Sequence, residues 1–455
     1  MTISPDIFKA YDIRGIHGRD LDAAGARLIG RAFARVIADM EGRPPASLRL
    51  ALGRDMRLTA PEMAAAYAEG MVAEGAHVID AGQVATEMLY FLVGSRDLDG
   101  GLMCTASHNP KAYTGAKLVR RGAVALSGEQ GIRELALMVA GGLGAERGGG
   151  RIERVDAYPG FRRQAISFID AAVIRPLRVV VDGGNGMAGP MVGPLLDQLG
   201  LDLVSAYWRP DGNFPDHEPN PLLPENREFI VSEVVRQRAD LGIAWDGDAD
   251  RCFFVDDTGR FVDGDFLTAI LASSMLRKHP GETILYDVRA SRAVPDAVGA
   301  LGGRALINRV GHAFFKARMR KDGGIFGGEV SGHYYFREFY CADSGTIPAL
   351  LMLEELSRLG LRLSELLAPM RARYFISGEI NSEVADPEAK LEEIAARFPD
   401  GRQERLDGIS IDYPDWHFNV RASNTEPLLR LCLESLVSHE DMEAKRDSVL
   451  ALIRS

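Results

Sequence analysis

Cysteine is scarce in this chain. Its 455 residues hold four, Cys104, Cys252, Cys341 and Cys432, too far apart for a Cys-x-x-Cys pair, so neither a disulfide framework nor a zinc site is suggested. No stretch approaches the ~20 consecutive apolar residues of a membrane helix, and no membrane partner is expected. The segment Met1 to Gly15 carries charges and lacks the apolar core of a signal peptide, which points to the cytoplasm. A basic excess is missing as well. Lys and Arg total 53 against 64 Asp and Glu, a net charge of -11, and a chain without a strong positive field is not a general nucleic-acid binder. Any anionic ligand must be met by arginines and lysines gathered locally.

What the chain does contain is concentrated in a few loops. Residues 241 to 251 read Leu-Gly-Ile-Ala-Trp-Asp-Gly-Asp-Ala-Asp-Arg, an apolar strand-like run ending in carboxylates at alternate positions, Asp246, Asp248 and Asp250. Hard oxygen ligands in this pattern suit Mg²⁺ or Ca²⁺. An EF-hand would need Gly at the sixth loop position and Glu at the twelfth, where Arg251 and Asp257 stand. A second loop, Cys104 to Pro110, follows the apolar Gly100-Gly-Leu-Met103 and carries Ser107 beside His108, with the serine expected to be exposed. The G-x-S-x-G elbow of a serine hydrolase is absent, and sequence neighbours rarely align as base and nucleophile. With a carboxylate metal site elsewhere in the chain, a phosphoryl-carrying serine is the simpler reading.

At this length the chain should divide into several domains, since single cores stop growing beyond roughly 250 to 300 residues. A repeat organises the first three quarters. Strand-like runs at 48–55, 177–184 and 282–289 are each followed by a second at 76–82, 201–207 and 303–311, and by a third at 101–104, 241–245 and 323–326. Helical patterns lie between them, one opened by Thr59 as a capping-box residue with Pro61 in the first turn. Strand, helix, strand implies parallel α/β sheets with ligand loops at the strands' carboxyl ends. The third strands lead into the serine loop, the aspartate loop and Gly327 to His333. The last quarter reads as a smaller α+β domain, with Asp386 and Ser438 capping helices, Asp441 completing a second capping box, and strands at 408–420 and 428–434. The expected domains are 1–150, 151–257, 258–370 and 371–455. Gly184-Asn-Gly-Met-Ala-Gly189 matches a dinucleotide fingerprint, but Tyr207 and Trp208 stand where an acid belongs, so it reads as a tight turn into a helix.

Four segments, Thr105-Ala-Ser-His-Asn-Pro110, Asp246-Gly-Asp-Ala-Asp-Arg251, Gly328-Glu-Val-Ser-Gly-His333 and Arg421-Ala-Ser-Asn-Thr-Glu-Pro427, resemble the four signature loops of the α-D-phosphohexomutases, in that family's order and across essentially the whole chain. The third and fourth are most similar to the bacterial phosphomannomutase/phosphoglucomutase branch, with phosphoglucosamine mutases as the alternative. The resemblance implies three tandem similar α/β domains with mixed, largely parallel sheets plus a C-terminal α+β domain around a central active-site cleft. It implies reversible conversion of hexose 6-phosphate and hexose 1-phosphate through phosphorylated Ser107, with Mg²⁺ held by Ser107, Asp246, Asp248 and Asp250. Glucose 1,6-bisphosphate or its mannose counterpart would serve as intermediate and activator. Lys117, His108, His333 and Arg251 would be the acid, base and charge-stabilising groups. Tyr11, Arg14, Arg289, His312, Glu329 and Ser331 would contact the sugar phosphate, and Arg421, Ser423, Asn424 and Thr425 would grip the non-reacting phosphate. Small sugar phosphates are the expected partners, and a monomer or weak homo-oligomer the expected assembly. Arg289 and Arg309 depart from the lysines expected of close relatives, which keeps charge and changes geometry. The competing readings are a metal-stabilised sugar-phosphate sensor and a metal-dependent phosphatase.

Overall fold

The computed structural model describes residues 3–128, 130–422 and 428–455. The chain separates into two compact units, one comprising Met1–Phe261 with His333–Gly360 and the other Val262–Gly332 with Leu361–Ser455. The repeat is present in the sheets themselves. In the first unit the strands Arg49–Arg54, His77–Gln83 and Gly100–Cys104 run parallel, the first lying between the other two, so that Ala51 is flanked by Ile79 and Gly101. Arg178–Asp182, Asp202–Ala206 and Leu241–Trp245 repeat the order, with Val181 between Ser205 and Ile243. In the second unit Thr283–Asp287 lies between Arg304–Asn308 and Phe326–Gly328, with Leu285 between Leu306 and Gly327.

The physical basis is burial on both faces. All five residues of Leu241–Trp245 are buried, and a continuous apolar run without polar alternation is what a strand covered on both sides requires. Beside each third strand of the first unit an antiparallel partner follows, Tyr113–Arg120 and Cys252–Asp256, with Met103 opposite Lys117 and Trp245 opposite Cys252. The third strand of the second unit starts at Phe326, later than expected. The helix His312–Asp322 ends on Gly323 with φ +71, so the glycine pair terminates the helix and is not available to the strand.

Two helix starts differ from expectation. Thr59 precedes the helix Ala60–Ala73, but its own backbone is already helical and its side chain makes no cap bond; a capping hydroxyl needs an extended residue to reach the N2 or N3 amide. Ser438 does accept from the Asp441 amide, whereas the Asp441 carboxylate turns to Ser435 and Lys445, leaving the box half formed. Asp386 caps Pro387–Arg397 through the Ala389 amide as expected.

The C-terminal part is an antiparallel sheet in which Phe375–Glu383, Leu428–Ser435, Trp416–Ala422, Ile409–Asp412 and Arg402–Glu404 are neighbours in that order. The run 408–420 is therefore a hairpin. One core of Ile394, Ile411, Phe418, Leu431 and Val449 joins this sheet to its two helices. The glycine-rich Gly184–Gly189 segment is a turn, with Gly184 and Asn185 at positive φ, leading into the helix Ala188–Leu196. No helix among the described residues is long and apolar enough to cross a membrane.

Candidate active site

Asp246, Asp248 and Asp250 leave the strand Leu241–Trp245 on one tight loop, helped by Ala249 at φ 59, and all three are buried. One carboxylate oxygen from each lies within 4.8 Å of the others. Asp248 Oδ2 is crowded with donors: Lys117 Nζ at 2.8 Å, Thr105 Oγ1 at 3.3 Å and Thr86 Oγ1. Its Oδ1, and Oδ1 of Asp250, have no hydrogen-bond partner among the described residues. A buried carboxylate oxygen left without a donor is costly, and three converging carboxylates, two of them with an oxygen to spare, fit a hard divalent cation such as Mg²⁺.

Lys117, on the strand Tyr113–Arg120, bridges Asp248 at 2.8 Å and Asp250 at closer range. Burial works against its charge, but Asp248 and Asp250 outweigh that and raise its pKa, so it is an ammonium at any neutral pH. Burial opposes ionisation of Asp248 too, yet the Lys117 ammonium holds its carboxyl well below the usual range. Burial and then repulsion from Asp248 push the Asp250 carboxyl up to about 6. Arg251 closes the loop on itself, its Nε donating to Asp246 Oδ2 at 2.9 Å. Three carboxylates against two cationic side chains leave a local negative excess for a cation to reverse.

Ser107 is buried to 4 % exposure, contrary to the expectation of an exposed loop. Two contacts explain this. Arg57, itself buried, gathers the serine loop around its guanidinium, donating to the Ser107 and Asn109 carbonyls at 2.7 Å and to Pro110 at 3.0 Å. Gly247 packs on the same loop so closely that a Cβ there would meet the Ser107 carbonyl oxygen at 2.7 Å. Ser107 adopts φ 51, a left-handed conformation that costs a non-glycine residue energy and is found at functional turns. Its Oγ sits 3.1 Å from Asp246 Oδ2 and 3.2 Å from His108 Nδ1, so the adjacent histidine does reach the serine. Burial, then Arg251 and Arg14, lower the His108 pKa well below the ordinary value, leaving the ring neutral. Arg14 anchors the loop through Asn109 Oδ1 at 2.6 Å. Tyr11 is half-buried. His333 meets Asp343 Oδ2 through Nδ1 at 3.0 Å.

The second unit carries its own polar cluster. Glu329 is buried and accepts from the Gly311 amide at 3.0 Å; Ser331 and His312, the first residue of His312–Asp322, are half-buried. Arg289 is fixed by Asp287, with Nη2 at 2.7 Å and Nε at 3.0 Å. Glu379 joins three arginines: Arg289 at 3.2 Å, Arg421 at 2.9 Å and Arg430 at 3.1 Å. Burial opposes its ionisation, but Arg289 and Arg421 bring its carboxyl down to about 2. Ser423, Asn424 and Thr425 lie outside the described residues. Thr86, Thr105, Arg57, Asp343 and Glu379 were not singled out in the sequence. Thr105, inside the quoted serine segment, and Arg57, just past the polar end of the first strand, gave a local signal.

A serine held against clustered carboxylates, on repeated α/β sheets, is the equipment of a metal-assisted phosphoryl-transfer enzyme. Family models for the phosphoglucomutase/phosphomannomutase alpha/beta/alpha domains I, II and III match residues 5–138, 159–259 and 263–374, and that for the C-terminal domain matches 379–452. A phosphomannomutase of Salmonella montevideo is 41% identical, covering 98% of this chain and 99% of that protein. One from Escherichia coli K12 is 40% identical over 98% of each. A Burkholderia thailandensis phosphoglucomutase/phosphomannomutase family structure superposes with a TM-score of 0.90 at 34% identity, covering 99% of this chain and 98% of its own. The chain belongs to the phosphoglucomutase/phosphomannomutase family.

Proposed function

We propose that the chain interconverts hexose 6-phosphate and hexose 1-phosphate, of mannose, glucose or both, with Ser107 as the phosphoryl carrier. The observation that carries this reading is Ser107 Oγ at 3.1 Å from Asp246, beside Asp248 and Asp250 whose Oδ1 atoms lack donors. In the first half-reaction the phosphoryl group passes from Ser107 Oγ to the free hydroxyl of the bound sugar monophosphate, giving a hexose 1,6-bisphosphate. In the second the bisphosphate, turned end for end, returns its other phosphoryl group to Ser107. His333, whose Nδ1 is held by Asp343, takes the proton of the attacking hydroxyl at Nε2. Lys117, an ammonium at neutral pH, is the acid that supplies a proton to the departing serine oxygen, and the neutral His108, its Nδ1 3.2 Å from Oγ, holds that oxygen by hydrogen bonding. Asp246, Asp248 and Asp250 would hold Mg²⁺, which would supply an electrophile to neutralise phosphoryl charge. Lys117 and Arg251 balance the remaining field, while Tyr11 and Arg14 line the reacting end. Glu329 and Ser331 accept sugar hydroxyls, Arg289 and His312 orient the sugar phosphate, and Arg421 with Ser423, Asn424 and Thr425 grips the non-reacting phosphate.

Three measurements test this reading. Mass spectrometry should find a phosphate on Ser107, and phosphatase-treated protein should stay inert until glucose 1,6-bisphosphate restores turnover. Ser107→Ala should lose multiple turnover and keep its circular dichroism. Full activity of dephosphorylated protein without bisphosphate, or sustained turnover by Ser107→Ala, would remove the serine as carrier.

A further inference from the structure

Thr86 and Glu87 open the helix Thr86–Ser95 and reach two different loops. The Thr86 amide donates to the Asp248 carbonyl at 3.1 Å, and its hydroxyl donates to the Asp248 carboxylate. Glu87 is fully buried and turns the other way, to the segment Ser344-Gly345-Thr346. It accepts from Ser344 Oγ, from the Thr346 amide at 3.1 Å and from Thr346 Oγ1 at 2.7 Å. That turn directly follows Asp343, the partner of His333. Its middle residue faces the carboxylate loop: the Gly345 carbonyl accepts from Trp245 Nε1 at 2.8 Å, and a Cβ on Gly345 would meet the Ala249 carbonyl oxygen at 2.5 Å. The turn is thus gripped by Glu87 on one side and by the loop of Asp246, Asp248 and Asp250 on the other. Burying a carboxyl is costly, and all three of these hydrogen bonds are spent on this turn.

We propose that Glu87 is a positioning residue for phosphoryl transfer. By holding the Ser344–Thr346 turn it sets where Asp343 places the His333 imidazole relative to the carboxylate loop. This rests on the role given to His333 above. Misplacing a proton acceptor by a fraction of an ångström costs turnover and leaves substrate binding in place.

The test is a pair of variants read in kcat and KM. Glu87→Gln keeps the shape but replaces one acceptor oxygen by an amide donor, and should lower kcat about 10-fold, the lower end for outer-shell partners. KM for glucose 1-phosphate and the Mg²⁺ half-saturation should stay as in the parent enzyme. Ser344→Ala, which removes one of the three donors, should shift kcat the same way by less, with melting curves confirming the fold of both. In a His333→Asn background, Glu87→Gln should add no further loss. Unchanged kcat in both variants, or a Glu87→Gln loss that multiplies undiminished onto His333→Asn, overturns the positioning role and leaves the phosphoserine reading standing. Parent-level turnover by His333→Asn alone would instead remove the role of His333, and this proposal with it.

Discussion

Single side chains in this protein are placed by charge as much as by packing. Asp248 illustrates it: one carboxylate oxygen accepts from Lys117, Thr105 and Thr86, while the other has no donor. Asp248→Asn substitutes an amide whose NH₂ must face either those donors or the cation, so we expect a raised Mg²⁺ half-saturation together with lower kcat. A metal titration superimposable on the parent's would place the cation elsewhere. Arg421 is the second case. Its Nη2 is engaged by Glu379, which also holds Arg289 and Arg430, so Arg421→Ala leaves Glu379 neutralised. The expected cost is then loss of phosphate contact alone, roughly 1.5 to 3 kcal/mol in apparent affinity for hexose 1-phosphate and hexose 6-phosphate alike. Lysine there should rescue in part, since it lacks the planar fork. Impairment of one isomer with the other untouched would argue for separate phosphate sites.

At the scale of elements, two loops from successive repeats meet backbone to backbone. Gly247 lies between the first and second aspartates, and its missing Cβ is what lets the Ser107 carbonyl approach to the distance seen. Gly247→Ala should therefore push the serine and aspartate loops apart. We expect a destabilisation of about 1 to 3 kcal/mol, typical of overpacking, and a fall in kcat larger than the stability loss accounts for at assay temperature. Denaturant unfolding alongside steady-state kinetics separates the two; a variant with parent-like kcat would show that the spacing of the loops is not critical.

For the whole molecule, buried acids set the pH response of stability. Asp265, which accepts from the Ser291 amide at 2.7 Å, is pushed by burial and then by Asp263 up to about 8, and burial raises Glu434 to about 7. These groups keep their protons in the folded chain and lose them when unfolded above about pH 4. Their contribution is present at low pH and is lost as pH rises toward 8, because the folded state binds more protons across that window. The thermal midpoint should fall between about pH 4 and 8, and Asp265→Asn, which keeps the acceptor, should flatten that fall, by up to a few kcal/mol in unfolding free energy. An unchanged pH profile in the variant would assign the effect to other groups.

The sequence by itself determined the repeated strand order, the parallel sheets and the identity of the aspartate and serine loops. Those features rest on short-range pattern: an apolar run long enough for one buried strand, and a polar loop at its end. Ser107's burial, the reach of His108 to its hydroxyl and the half-formed cap at Ser438 were decided by tertiary structure. Each depends on a partner far along the chain or on a local backbone angle, as with Arg57 about fifty residues before the serine loop it gathers. Thr86, Glu87, Asp343 and Glu379 belong with them, because a buried polar side chain shows its purpose only through the group that satisfies it, and sequence spacing carries no trace of which group that is.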